Sequence, residues 1–129
     1  MTAKILIAEG IVLQSRLMAS VLEDLGYEVT IARDGWEACE KSVREIFALV
    51  LMDMDLADLG GLEATKIIRA NEGAGLRVPI FALTADDDEA MRKKCGDIGI
   101  DGFVKKPVGP SALRDAVQKA LAMNSRWVA

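Results

Sequence analysis

The chain of 129 residues contains no histidine. That absence removes the base of every Ser–His and Cys–His nucleophile system, together with the commonest metal-binding side chain. Cysteine is scarce: only Cys39 and Cys95 occur, without metal-ligand spacing. They read as two small, reduced, half-buried side chains in helical patterns. Positive charge is not in surplus, since 16 basic residues meet 20 acidic ones for a net charge of −4. The two signs are mixed along the chain, so no basic stripe offers to neutralise phosphates, and nucleic acid is excluded as a direct partner. There is no apolar run long enough to span a bilayer and no signal-peptide core at the N-terminus, so no membrane insertion is expected and the expected location is cytoplasmic. Residues 8 to 14 lack a glycine-rich phosphate cradle, which argues against a dinucleotide or flavin role.

What is present points to one domain over residues 1–129, since 51% of the residues are hydrophobic and the length suffices for a real core. The most informative stretch is Ala48-Leu49-Val50-Leu51-Met52-Asp53. It is too short and too uniformly apolar for an amphipathic helix, and suits a strand buried on both faces. It stops on a carboxylate, which a parallel sheet would place at its carboxyl edge, where open α/β sheets bind ligands.

The other elements fall around it. Residues 4–8 read as a first strand ending at Glu9 and Gly10. Leu13, Leu17, Met18, Val21, Leu22 and Leu25 recur at helical spacing, and Gly26 ends that helix. Residues 28–32 alternate as a second strand; Asp34-Gly35 then gives turn chemistry or a helix start leading to Trp36, Cys39, Ser42 and Val43. A loop over 54–60 precedes a helix over 61–70 with Leu62, Ala64, Ile67 and Ile68 as its apolar side. A glycine-containing loop over 71–77 leads to a fourth strand, 79–83, ending at Thr84. Asp86, Asp87, Asp88 and Glu89 open the next helix, where negative charge favours the dipole, and Asp88–Arg92 and Glu89–Lys93 are supportive pairs one turn apart. That run therefore reads as helix electrostatics rather than a metal site. Residues 100–104 are the fifth strand and 110–123 the last helix. Residues 124–129 read as a frayed tail, in which Trp127 is a weak sign of a longer parent chain. Five strand patterns alternate with five helix patterns, which dictates parallel pairing by right-handed crossovers with helices on both faces.

Four strands end in groups able to do chemistry: Glu9, Asp53, Thr84 and Lys106. Gathered on one edge they supply two carboxylates, a hydroxyl and an ammonium. Close carboxylates repel, and Mg²⁺ relieves that repulsion while keeping waters for a phosphate. The ammonium pairs with Asp53 when the site is empty and with phosphate oxygens when it is filled. Such a set suits phosphoryl transfer onto a carboxylate, where positioning and charge neutralisation do most of the work. Taken singly, Asp53 is a loop start, Glu9 a solvated strand end, Thr84 the N-cap of the acidic helix and Lys106 a surface lysine before a proline turn. Together those readings require four coincidences at one edge, and the functional reading outweighs them.

These residues resemble the response-regulator receiver domain of two-component signalling over roughly 4 to 122. The resemblance rests on Ile5-Leu6-Ile7-Ala8-Glu9, Leu49-Val50-Leu51-Met52-Asp53, Gly61-Leu62-Glu63-Ala64-Thr65 with Ile68-Arg69, Pro79-Ile80-Phe81-Ala82-Leu83-Thr84-Ala85 and Asp101-Gly102-Phe103-Val104-Lys105-Lys106-Pro107. The third helix is in the style of hybrid-kinase receivers. The resemblance implies a flavodoxin-like (βα)5 fold with strand order 2-1-3-4-5. It implies that Asp53 takes a phosphoryl group from a phosphohistidine of a histidine kinase or histidine phosphotransfer protein, as a phosphorelay switch rather than a turnover enzyme. It further implies that Lys106 pairs with the phosphate, that Thr84 and Phe103 are the switch pair, and that the Lys106–Pro107 peptide is cis. The implied cofactor is Mg²⁺ on Glu9, Asp53 and Asp55, the last through its backbone carbonyl. The face of the fourth helix, fifth strand and fifth helix is also a candidate homodimer contact, with the oligomeric state left open by the sequence.

Three positions depart from the family pattern. Gly10 stands where a second acid normally ligates the metal directly, Leu56-Ala57 where Met-Pro is usual, and Gly60 where Asp is usual. The loss at Gly10 is expected to weaken Mg²⁺ binding and motivates an alternative: a pseudo-receiver binding module with little or no phosphorylation. A third reading takes Asp53-Met54-Asp55 as the nucleophile motif of haloacid-dehalogenase-type phosphatases. Two strand patterns before the motif and the short chain after it count against that reading.

Overall fold

The computed structural model describes residues 2–73, 75–86 and 88–123. Five strands alternate with five helices: β1 (Lys4–Ala8), α1 (Val12–Asp24), β2 (Glu28–Ala32), α2 (Gly35–Arg44), β3 (Leu49–Asp53), α3 (Gly61–Asn71), β4 (Ile80–Thr84), α4 (Glu89–Ile98), β5 (Gly102–Lys105) and α5 (Pro110–Met123). The strands form one parallel sheet in the order β2-β1-β3-β4-β5. Both the fold class and the strand order match the expectation.

The two-residue period of the strands decides how the core divides. Leu6 and Ala8 of β1, Val50 and Met52 of β3, and Ile80 and Ala82 of β4 point to one face, where Ala38, Cys39, Ala64, Ile68 and Cys95 cover them. Ile5, Ile7, Leu49, Leu51, Phe81 and Leu83 point to the other, under Met18, Ala19, Leu22, Leu113, Ala116, Val117 and Ala120. Helices α2, α3 and α4 thus line one face and α1 and α5 the other. Every residue of β3 and β4 is buried. Strands covered on both sides have no room for a polar group except at their ends.

Several local expectations are corrected. The expected apolar side of α1 is split: Leu13 and Leu17 are exposed at 68% and 60%, while Ser15, Met18, Ala19 and Leu22 face the sheet. Leu13 and Leu22 are about two and a half turns apart, so they lie on opposite sides. The small Ser15 and Ala19 let the helix lie close to the strands. On α2, Trp36 and Val43 point to solvent, two turns apart, while Ala38 and Cys39 go inward. Asp34 is a helix start rather than a turn: its side chain accepts the Glu37 amide at 2.8 Å. Cys39 and Cys95 are unpaired and buried rather than half-buried, and burial raises both thiol pKa values. Strand β5 begins at Gly102, not at residue 100; the Asp101 amide just before it donates to the Ile80 carbonyl at 2.8 Å, and the Asp101 carboxylate accepts the Ile80 amide and the guanidinium groups of Arg69 and Arg77. Gly26 does end α1, at φ +97. Asp87 of the acidic run, the tail 124–129 and Trp127 lie outside the described residues. Among the described residues no helix is long and apolar enough to cross a membrane.

Substitution should separate the two sides of α1. Leu22→Ala is expected to cost about 2–5 kcal/mol through lost burial and a residual cavity. Leu13→Ser and Leu17→Ser should stay within about 0.5 kcal/mol. Urea unfolding of the three variants measures this; equal losses would refute the assignment of faces.

Candidate functional site

The site is made by the carboxyl ends of the parallel strands. Register sets Ala8 beside Met52, so Glu9, the next residue of the chain, reaches the edge next to Asp53. Thr84 closes β4 one step beyond the Asp53–Leu83 pairing. Lys106 follows β5, and its amide donates to the Thr84 carbonyl at 3.0 Å. The loop that starts at Met54 is tied to β4, the Met54 amide donating to the Leu83 carbonyl at 3.1 Å. A Cβ on Gly61 would run into the Asp53 carbonyl, so only glycine lets α3 start that close to the acid.

The charges meet here. The Lys106 ammonium lies 2.8 Å from Asp53 Oδ1 and 3.8 Å from Glu9 Oε1. Asp53 Oδ1 also accepts the Asp55 amide at 3.0 Å, and Glu9 Oε2 accepts the Ile11 amide at 3.2 Å. Glu9 and Asp53 are 1% and 3% exposed, so this is a buried charged cluster. Burial, followed by the neighbouring Asp53 carboxyl, raises the pKa of Glu9, against the Ile11 amide and the Lys106 charge. For Lys106, burial works against the ammonium, but Asp53, Glu9 and Asp55 outweigh it and hold the pKa above its ordinary value. One atom is left over: Glu9 Oε1 is buried and has no hydrogen-bond partner. A buried carboxylate oxygen without a donor is costly, and such an atom calls for a bound cation or donor to explain it.

The structure therefore brings Glu9, Asp53 and Lys106 into contact, with Asp55 at the rim. Thr84 is at the same edge but its hydroxyl is turned toward the following loop: it accepts the Asp86 amide at 3.0 Å and donates to the Asp86 carbonyl at 3.2 Å. It is not the N-cap of α4; Asp88 holds that place by accepting the Met91 amide. Phe103 pairs in register with Ala82, is partly buried, and carries the Arg92 guanidinium 5.1 Å from its ring centroid. The Lys106–Pro107 peptide is cis, as expected. Among the described residues no three acidic or cysteine side chains gather closely enough to form a ready-made metal cluster. A cation there would be held by the Glu9 and Asp53 carboxylates, and the unpartnered Glu9 oxygen fits a hard divalent ion.

The roles of the Ile11 and Asp86 backbone and of Arg92 were not foreseen. Backbone donors leave no mark in side-chain chemistry, and a cation over a ring depends on which helix lies beside β5.

Comparison with known proteins agrees with this picture. The profile of the response regulator receiver domain matches residues 5–118. Hybrid signal transduction histidine kinase I of Dictyostelium discoideum is 34% identical over an alignment of 122 residues that covers 88% of this chain and 7% of that protein. The chain thus spans a small part of the length of that relative. Among solved structures, the receiver domain of the sensor histidine kinase PA1611 of Pseudomonas aeruginosa, with a magnesium ion coordinated in its active-site cleft, is 34% identical with a TM-score of 0.84 over 95% of this chain and 99% of that one. The receiver domain of the response regulator Ssk1 of Saccharomyces cerevisiae, in complex with the histidine phosphotransfer protein Ypd1, is 27% identical with a TM-score of 0.86 over 95% of this chain and 90% of that one.

The raised pKa of Glu9 gives a signed pH effect in metal-free protein. Below the ordinary carboxylate range Glu9 is protonated in both folded and unfolded chains. Above it the folded chain holds the extra proton, so stability falls as pH rises through the raised folded value. Glu9→Gln should therefore gain stability over the parent at neutral pH and not at acid pH. Urea unfolding in chelator across that range measures it; a pH-independent difference would contradict the assignment.

Proposed function

This chain belongs to the response-regulator receiver family, and from that premise we propose that Asp53 accepts a phosphoryl group from a phosphohistidine on a histidine kinase or histidine phosphotransfer protein. The observation that carries the reading is the Lys106–Asp53 contact at 2.8 Å between groups drawn from β3 and the end of β5. In the transfer the histidine N–P bond breaks, an Asp53 O–P bond forms, and the imidazole leaves. Lys106 turns its ammonium from the carboxylate to the phosphoryl oxygens, and Thr84 gives up its Asp86 partners to donate to the same group. Bound Mg²⁺ would neutralise charge on the transferring phosphoryl group, held by Glu9, Asp53 and the Asp55 carbonyl. Phe103 lies where movement of Thr84 along β4 reaches β5, and would report the change on the α4–β5–α5 face. That face is the proposed homodimer contact, and the setting is read as cytoplasmic.

A protein phosphodonor is supported by the apolar rim beside the site. Ile11, Val12, Leu13 and Leu17 are all about half exposed or more, and Ile11 donates its amide to Glu9. No charged side chain occupies the first turn of α1, residues 12–15; Arg16 follows it. The pseudo-receiver alternative is favoured by one observation, the glycine at position 10. A Cβ there would lie 3.2 Å from the Arg33 carbonyl, so the backbone is already close-packed without the missing acid.

Incubation with a small acyl phosphate or phosphoramidate, followed by intact mass, decides between the two. The receiver reading expects a Mg²⁺-dependent phosphoryl adduct that is lost in Asp53→Ala. No adduct at any Mg²⁺ concentration would overturn it in favour of the pseudo-receiver. Gly10→Asp should tighten Mg²⁺ binding by about tenfold, or about 1.4 kcal/mol, as measured by calorimetry; unchanged affinity would refute the assignment of that position. Leu13→Asp with Leu17→Asp should slow transfer from a phosphohistidine protein about tenfold or more and leave the small-donor reaction unchanged. Equal slowing with both donors would remove the docking role.

A further inference from the structure

We propose that Arg69 is a positioning residue for Lys106: from the edge of the sheet opposite the site, it fixes the register of β5 on β4 and so holds the lysine beside Asp53. The inference rests on the receiver reading for the meaning of the Lys106–Asp53 contact, whereas the clamp itself stands on geometry.

The four site residues are not held equally. Asp53 ends β3, Glu9 follows β1 and Thr84 ends β4, and each of those strands has a neighbour on both sides. Lys106 alone follows an edge strand. β5 has 4 residues, pairs only with β4 and buries only Val104. A strand this short, with a glycine and one buried side chain, does little to specify its own register. A slip of one residue along β4 would carry Lys106 about 3.3 Å and turn Phe103 and Val104 to the wrong faces. The hydrogen bond to Asp53, 2.8 Å long, does not survive such a shift.

The register is set instead where the two strands begin. The Asp101 amide donates to the Ile80 carbonyl at 2.8 Å, and the Ile80 amide donates back to Asp101 Oδ2 at 2.9 Å. Only one alignment of the strands closes this ring. Arg69 locks it from α3. Its Nη2 donates to the same Asp101 oxygen at 2.9 Å and to the Gly99 carbonyl at 2.8 Å, and Nε reaches that carbonyl at 3.1 Å. Its Nη1 donates to the Val78 carbonyl at 2.7 Å and to both oxygens of Glu72, which in turn accepts the Val78 amide.

One guanidinium thus grips the chain entering β4 and the chain entering β5. Its planar fork matches acceptors on both and gives neither room to slide. Arg69 is 14% exposed, with every nitrogen engaged. A Cβ on Gly99 would come within 2.9 Å of Nε, so the glycine that lets the chain turn at φ +114 also admits the fork. At the far end of β5 the Lys106 amide donates to the Thr84 carbonyl at 3.0 Å, continuing the same alignment. From that point its ammonium reaches Asp53.

Amide hydrogen exchange on the full chain tests the clamp without any phosphodonor. Arg69→Lys keeps a charge beside Glu72 and Asp101 but loses the fork; Asp101→Ala breaks the ring from the other strand. Either should speed exchange of the Lys106 amide about tenfold or more relative to the Glu9 amide, which donates to Ala32 at the same edge without involving β5. Equal speeding of both amides, or of neither, would overturn the proposal. With a small acyl phosphate and Mg²⁺, Arg69→Lys should slow adduct formation, read by intact mass, about tenfold to a hundredfold. In a Lys106→Ala background it should slow it by less than about twofold, because the two residues act through one contact. Losses that multiply would refute the positioning role. Leu22→Ala, which destabilises the fold from the other face of the sheet, should leave the rate near the parent's; a comparable loss there would likewise count against Arg69. A parent chain that takes up no phosphoryl group refutes the receiver reading, and the clamp is still decided by the two amides.

Discussion

Two carboxylates buried under one ammonium set the terms for the rest of this molecule. Asp53 and Glu9 end neighbouring strands, and Lys106 lies between them, 2.8 Å from one and 3.8 Å from the other. Removing charge from water at that depth is expensive unless partners are provided. The sheet supplies one for Asp53 and leaves the Glu9 Oε1 oxygen without a hydrogen bond. The cluster is thus short of positive charge, which under the proposed function a divalent cation would supply.

The opposite edge shows what a satisfied cluster looks like. Around Arg69, donors and acceptors are matched, and Glu72, Val78, Gly99 and Asp101 are all fastened to one guanidinium. Polar networks that are complete rigidify, whereas incomplete ones are poised to change. The two ends of the same strands therefore divide the work. β4 carries both, beginning at the amide held by Asp101 and ending at Thr84.

The fold was largely legible because it rests on short-range patterns. β1 and β2 and the start and end of α5 fall where alternation and proline placed them. Aspartate at 34 and glycine at 26 acted as the local rules require. The errors on α1 and α2 share one cause. Leu13, Leu17, Trp36 and Val43 are apolar at helical spacing, yet they face out, since a helix cannot turn more than one side to a sheet. Spacing alone does not say which of two apolar sides a sheet will select. Asp101 was read inside a strand, although its carboxylate serves Ile80, Arg69 and Arg77. Those partners come from other elements and leave no signal near residue 101.

The amino-acid sequence by itself determined the alternation of elements, the polar strand ends and the identity of Glu9, Asp53, Thr84 and Lys106, because each follows from neighbours within a few residues. Only the tertiary structure decided that Lys106 joins Asp53, that Thr84 turns to Asp86 and leaves the helix cap to Asp88, that Glu9 is left with an unmatched oxygen, and that Arg69 binds Asp101. Those outcomes depend on strand order and register, which bring residues dozens of positions apart within hydrogen-bond reach. No local pattern encodes a distance of that kind.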